Sequence, residues 1–135
     1  MTTTKGHCLC GAVTFEFDGP PRWVVHCHCE SCRRNTSSPF TTFLGVARTD
    51  YRFTGEKPQI YESSPGVRRL FCGRCGAPIA FDADRYAEEI HFYAASLEHP
   101  ERLKPEGHVH DAERLPWVAL ADNLPRHEHG GGIAS

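Results

Sequence analysis

Seven cysteines in three groups are the residues whose types and spacing promise chemistry in this chain. Cys8 and Cys10 form C-x-C, Cys27, Cys29 and Cys32 form C-x-C-x-x-C, and Cys72 and Cys75 form C-x-x-C. Thiolates are soft ligands that suit zinc, and four of them arranged tetrahedrally close a structural site. Four plus three is the natural partition. Cys8, Cys10, Cys72 and Cys75 supply the four, and a glycine follows each pair, Gly11 and Gly76. A turn that aims backbone N–H groups at sulfur often needs positive φ, which glycine supplies. Free buried cysteines are the alternative, but isolated core thiols do not pair twice at ligand spacing. Cys27, Cys29 and Cys32 offer three thiolates and no fourth cysteine, which leaves one coordination position open, as in a catalytic metal site. His28, His26 or His7 could instead fill that position and make the second site structural too. Two zinc ions per chain are expected.

Three thiolates on one zinc leave it electron-rich and a poor activator of water. A sulfur substrate is the better match, because a thiol that coordinates zinc loses its proton at neutral pH. The thiolate so formed is a nucleophile, or a leaving group in the reverse direction. Arg33 and Arg34 follow the trio, and then a donor-rich run from Asn35 to Phe40. These arginines either bind a carboxylate of the thiol or belong to a solvated face. His91 is a candidate proton carrier, with a structural role as the alternative. His108 and His110 alternate around Val109 and are expected at the surface or supporting a metal. Trp23, Trp117, Phe40, Phe43, Phe53 and Phe81 are core candidates, with Phe40 the first choice to line a pocket. His127 and His129 read as solvated.

The elements that must position these groups are strands. Val13, Phe15 and Phe17 alternate with Thr14, Glu16 and Asp18, the period of a half-buried strand. Similar segments predict strands near 12–17, 22–26, 40–47, 59–62, 67–71, 78–82 and 90–96, with helical turns only around 29–35 and 97–103. Leu115 and Trp117 would anchor the irregular stretch after Pro105. An all-β fold follows, in one zinc-binding domain over 1–135 with a core from about 6 to 126 and a flexible Gly-rich tail over 127–135. With 15 Lys and Arg against 17 Asp and Glu, the net charge of -2 argues against nucleic acid as a partner. No apolar run is long enough to span a membrane and no signal peptide is visible. An odd cysteine count without such a signal favours reduced thiols and the cytoplasm.

The stretches CLCGAVTFEF, CHCESCRRNTSSPF and RLFCGRCGAPIAF resemble the glutathione-dependent formaldehyde-activating enzyme family, which includes centromere-protein-V-like proteins. HVHDAERLPWVALADNLPR is similar to that family's closing segment, so the resemblance covers roughly residues 6 to 126. It implies a small Mss4-like β-sheet fold, a structural zinc on Cys8, Cys10, Cys72 and Cys75, and a catalytic zinc on Cys27, Cys29 and Cys32. It also implies a carbon–sulfur lyase or synthase that joins glutathione and formaldehyde reversibly into S-hydroxymethylglutathione. One departure stands out: Ser37 occupies a position where the family usually carries glycine.

Two other classes compete with such an enzyme. A non-catalytic zinc module would bind protein or nucleic acid, using Arg33, Arg34, Arg68 and Arg69 as a local basic patch. A zinc hydrolase or metal buffer would turn over esters or release zinc readily. The enzyme's partner would be a small thiol, and the sequence leaves the oligomeric state open.

Overall fold

Alternation along the strands decides which side chains meet in the computed structural model, which describes residues 2–130. The strands are β1 (Thr3–His7), β2 (Thr14–Asp18), β3 (Trp23–Cys27), β4 (Thr41–Ala47), β5 (Tyr51–Phe53), β6 (Gln59–Ser64), β7 (Val67–Phe71), β8 (Pro78–Ala83), β9 (Glu89–Tyr93) and β10 (His108–Val109). One seven-residue helix, α1 (Glu30–Thr36), lies between β3 and β4. A three-stranded sheet has the order β1-β2-β5, and a seven-stranded sheet the order β10-β3-β4-β9-β8-β7-β6. All pairings are antiparallel except β10 on β3. The fold is all-β, in agreement with the Mss4-like class that the sequence implies.

The small sheet lies on one face of the large one. Phe15 of β2 stacks on Phe92 of β9, with centroids 4.2 Å and planes 9° apart. Phe17, Leu44, Val46, Ile79, Ile90 and Leu97 close the same core. Each large side chain so buried contributes roughly 1.5–3 kcal/mol. This packing holds the large sheet rigid, so its opposite face can carry a site.

On that opposite face the residues of alternate parity gather: Trp23, Val25 and Cys27 of β3, Phe43 of β4, Phe81 of β8, Tyr93 of β9 and Val109 of β10. Strand register lines up Trp23 with Gly45, Gly45 with His91, His91 with Phe81, and Phe81 with Arg69. One row of residues thus crosses five strands.

All seven anticipated strands are present, with ends shifted by at most two residues except in the last, which stops three residues early at Tyr93 because Ala94–Ser96 turns into a 3-10 helix. β1, β5 and β10 were not anticipated. Trp117 is not a core anchor: it is 70% exposed. A turn in which the Val118 N–H donates to Leu115 O, at 3.0 Å, buries Val118 in its stead. The stretch from 127, expected to be a flexible tail, begins with backbone bonds from His127 N to His108 O (2.8 Å) and from Asp111 N to His127 O (2.9 Å). The rest of it, 131–135, lies outside the described residues. Among the described residues no helix is long and apolar enough to cross a membrane.

Candidate functional site

β1 and β7 each run directly into a pair of cysteines, and the antiparallel partners of these strands leave by way of a glycine turn. Gly11 and Gly76 have φ of +82° and +78°, as the sequence anticipates. The turns bring the sulfurs of Cys8, Cys10, Cys72 and Cys75 within 4.8 Å of one another, with Cys8 to Cys10 at 3.7 Å and Cys10 to Cys72 at 3.8 Å. A tetrahedral metal with bonds of about 2.3 Å separates its sulfur ligands by about 3.8 Å. Backbone N–H groups donate to the sulfurs, from Val13 to Cys8 at 3.3 Å, and from Arg74 and Cys75 to Cys72 at 3.3 and 3.4 Å. Donor type, spacing and supporting hydrogen bonds all fit a metal ion.

The second group forms where β3 passes into α1. Cys27 ends the strand, Cys29 caps the helix by accepting from Cys32 N at 3.3 Å, and Cys32 lies in the first turn. The Cys27 sulfur is 3.5 Å from Cys29 and 3.7 Å from Cys32. Among the described residues no histidine or carboxylate joins this trio. His28 is fully buried and turned away, its Nε2 paired with His108 Nδ1 at 2.8 Å, while His108 Nε2 meets Asp122 at 2.7 Å. His26 Nδ1 pairs with Thr42 at 2.8 Å, and His7 Nδ1 with the Cys8 carbonyl at 2.7 Å. None of the three imidazoles completes the trio.

Hydrogen bonds from Cys27 and Cys32 hold the Cys29 thiol far below its ordinary pKa, at about 2. Cys27 is pushed far up, first by its bonds to Cys29 and Cys32 and then by burial. At Cys32 the bond with Cys27 lowers the pKa, but Cys29 and burial outweigh it and raise it to about 12. Three sulfurs this close hold one negative charge among them, and a divalent cation would let all three ionise. This trio, too, could hold a metal.

The trio borders a cavity of about 270 Å³. Trp23, Val25, Phe43, Phe81 and Val109 form its apolar part, and Ser31, Arg69, Arg85, Tyr86, His91, His110, Glu113 and Gly130 complete the lining. Trp23 Nε1 donates to Glu89 Oε2 at 3.0 Å, the same oxygen that meets His91 Nε2 at 2.7 Å, and Arg22 reaches Glu89 Oε1 at 3.3 Å. Burial lowers the His91 pKa, partly offset by Glu89. Tyr93, beneath the trio, accepts from Asn35 Nδ2 at 2.6 Å, and burial raises its pKa to about 12.

Several sequence candidates sit elsewhere. Arg33 donates to the His28 carbonyl at 3.3 Å and Arg34 pairs with Glu30 at 2.7 Å in solvent, so neither lines the cavity. Phe40 packs on His26 and His28, with centroids 5.4 and 5.2 Å apart, not on the cavity. His110 lines the cavity; His108 is fully buried. Arg68 and Arg69 do not form one patch, because strand parity sends them to opposite faces. Arg68 binds Asp82 and Asp84, whereas Arg69 faces the cavity. Arg85, Glu89 and Asp122 are not singled out by the sequence; the alternation of β7 and β8 is the signal that could have found the position of Arg69.

Residues 3–113 match the family model described as glutathione-dependent formaldehyde-activating enzyme. A Schizosaccharomyces pombe protein, named an uncharacterised lyase, is 33% identical over 81 residues, 60% of this chain and 58% of that protein. A Halomonas elongata protein, whose name places it in the same formaldehyde-activating family, is 29% identical over 126 residues, covering 86% of this chain and 80% of that one. The crystal structure of a Rhodobacter sphaeroides protein superposes with a TM-score of 0.59 at 21% identity, covering 91% of this chain and 98% of the other. That last likeness bears on the fold.

Proposed function

Because the chain belongs to the glutathione-dependent formaldehyde-activating enzyme family, we propose that it is a zinc-dependent carbon–sulfur lyase or synthase of the S-(hydroxymethyl)glutathione synthase type. It joins a small glutathione-like thiol reversibly to formaldehyde or a related carbonyl. In the forward direction a carbon–sulfur bond forms, the carbonyl π bond opens, and the thiol proton ends on the new hydroxyl oxygen. Cys8, Cys10, Cys72 and Cys75 hold a structural zinc, and Cys27, Cys29 and Cys32 a catalytic one. A zinc ion on the trio supplies Lewis acidity that keeps a thiol ionised at neutral pH. The cavity walls then do the rest. Phe43, Phe81 and Trp23 exclude water, and the trio fixes where sulfur enters. As a reduced-thiol protein it would work in the cytoplasm.

The observation that carries this reading is the trio itself: three sulfurs at tetrahedral spacing, no fourth side chain among the described residues, and a cavity alongside. The rival reading of a basic zinc module loses support from Arg34 and Arg68, whose charges are already taken by Glu30, Asp82 and Asp84. The test is metal content together with two substitutions. Purified protein should carry about two zinc ions per chain and accelerate the appearance of the hydroxymethyl adduct from a thiol and formaldehyde, followed by NMR. Cys29→Ser should abolish that acceleration with the fold retained, and Cys75→Ser should unfold the domain. Two folded, equally active variants would overturn the assignment.

A further inference from the structure

Among the described residues, eight arginines lie within 4.0 Å of a carboxylate, Arg68 among them. Its neighbour Arg69 has no such partner among the described residues, although it lines the cavity beside the cysteine trio. The Arg69 guanidinium lies over the Phe81 ring, 5.0 Å from its centroid, and Nε donates to Ser63 Oγ at 3.4 Å. Nη1 is shut off from solvent and has no hydrogen-bond partner among the described residues. A cation at a cavity wall with no carboxylate partner retains its charge for an anionic ligand, and its unmatched donor adds to the cost of leaving it unpaired. A second cation, Arg85, stacks at the same ring, 5.5 Å from its centroid.

The rest of the lining limits what that ligand is. Guanidinium presents a planar fork that fits a carboxylate with two parallel hydrogen bonds. On the helix side Glu113 accepts from Glu30 N at 3.0 Å and stands 3.6 Å from His110, which places a negative charge there and turns an anion away from it. The anion-binding end is therefore the Phe81 end. Arg69 and the three cysteines line the same cavity, so the two ends of a small molecule can meet the trio and the guanidinium together. At about 270 Å³ the cavity falls just below the roughly 300–1,000 Å³ range of drug-sized pockets, and suits a compact ligand.

We infer that Arg69 is the specificity-determining residue of this site, anchoring the carboxylate of a thiol acid whose sulfur meets Cys27, Cys29 and Cys32. The inference rests on the thiol-activating reading above and deepens it by naming the second group that the substrate must carry. Arg85 at the same ring reinforces the positive end.

The test compares 3-mercaptopropionate with its methyl ester by calorimetry on zinc-loaded protein. Wild type should bind the acid about tenfold more tightly than the ester, the value of one charge-assisted hydrogen bond pair. Arg69→Gln should weaken the acid alone and erase the preference, and Arg69→Lys should restore part of it. Equal affinities in wild type, or a Gln variant that weakens acid and ester alike while still folded, would overturn the anchor. Equal wild-type affinities would overturn the anchor even where the Gln variant does not fold. Turnover separates the two claims: an acid preference without adduct formation would sink the enzyme and keep Arg69, whereas turnover without preference would do the reverse.

Discussion

Trp23 can lie across β4 and reach Glu89 only because residue 45 has no side chain: a Cβ there would stand 2.5 Å from the indole Nε1. Gly45→Ala should therefore displace the indole, break its bond to Glu89 and destabilise the protein by about 1–3 kcal/mol, the usual cost of overpacking. Urea unfolding and tryptophan fluorescence would read both effects, and an unchanged midpoint would refute the contact. The partner across that carboxylate, His91, titrates in a predictable direction. Its neighbours are Glu89, Arg85, Arg48, Tyr86 and Trp23, and burial sets its pKa below the ordinary 6.5. Below pH 6.5 the unfolded chain takes up a proton that the folded chain refuses, so stability that is complete above 6.5 declines as the pH falls toward the folded value. His91→Gln should flatten the dependence of unfolding free energy on pH below 6.5. His26 and His28 also refuse protons in the folded chain, but equally in both proteins, so the difference in slope isolates His91; identical slopes would count against its buried neutral state. At this scale the cysteines are legible in the sequence because ligand spacing is local. Glu89 and Arg85 are not, because what they touch is set by strand pairing across the sheet, which no window of sequence contains.

Helix α1 is held at both ends by unusual caps, since seven residues cannot sustain a helix on propensity alone. Cys29 accepts from Cys32 N at one end, and at the other Ser37 adopts φ 52° and ψ 41° while its N–H donates to Arg33 O. A left-handed conformation costs an ordinary L-residue roughly 1–2 kcal/mol, a penalty that glycine escapes while losing more backbone entropy on folding. Ser37→Gly should thus raise stability by about 0.5–1 kcal/mol, visible as a higher urea midpoint. A lower midpoint would mean that the Ser37 hydroxyl does more for the fold than its backbone costs. Ser37 thus carries strain at a helix end. β2 is readable because one of its faces is buried and the alternation shows, whereas β3, β4, β8 and β9, buried on both faces, show as apolar runs bounded by turn residues. β1 is polar, β5 has three residues, and the two residues of β10 pair with β3 only after the chain from Pro105 has returned beside it. Such strands are made by their partners, and composition carries no sign of them.

The two cysteine groups differ in how much of the molecule each ties together. Cys27, Cys29 and Cys32 lie within one strand–helix corner, and that corner is already held by α1 and by the packing of Val25, Phe43 and Tyr93. Cys10 and Cys72, by contrast, are 62 positions apart and join the β1–β2 hairpin to the β7–β8 hairpin. Closing a loop of that length costs about 4 kcal/mol of chain entropy, and a structural zinc on four thiolates contributes roughly 10–16 kcal/mol. Removal of metal should therefore proceed in two stages. A moderate chelator concentration should strip the three-sulfur site first, with loss of thiol–formaldehyde turnover and an unchanged β-sheet circular dichroism. A stronger one should strip the four-sulfur site, and the sheet signal should then collapse cooperatively, because the hairpins lose their tie and Cys8 and Cys72 become buried thiols crowded against one another. Zinc release followed alongside circular dichroism would decide the matter: if both ions left together, or if the second left with the sheet intact, the division into one reactive centre and one that ties the fold would fail.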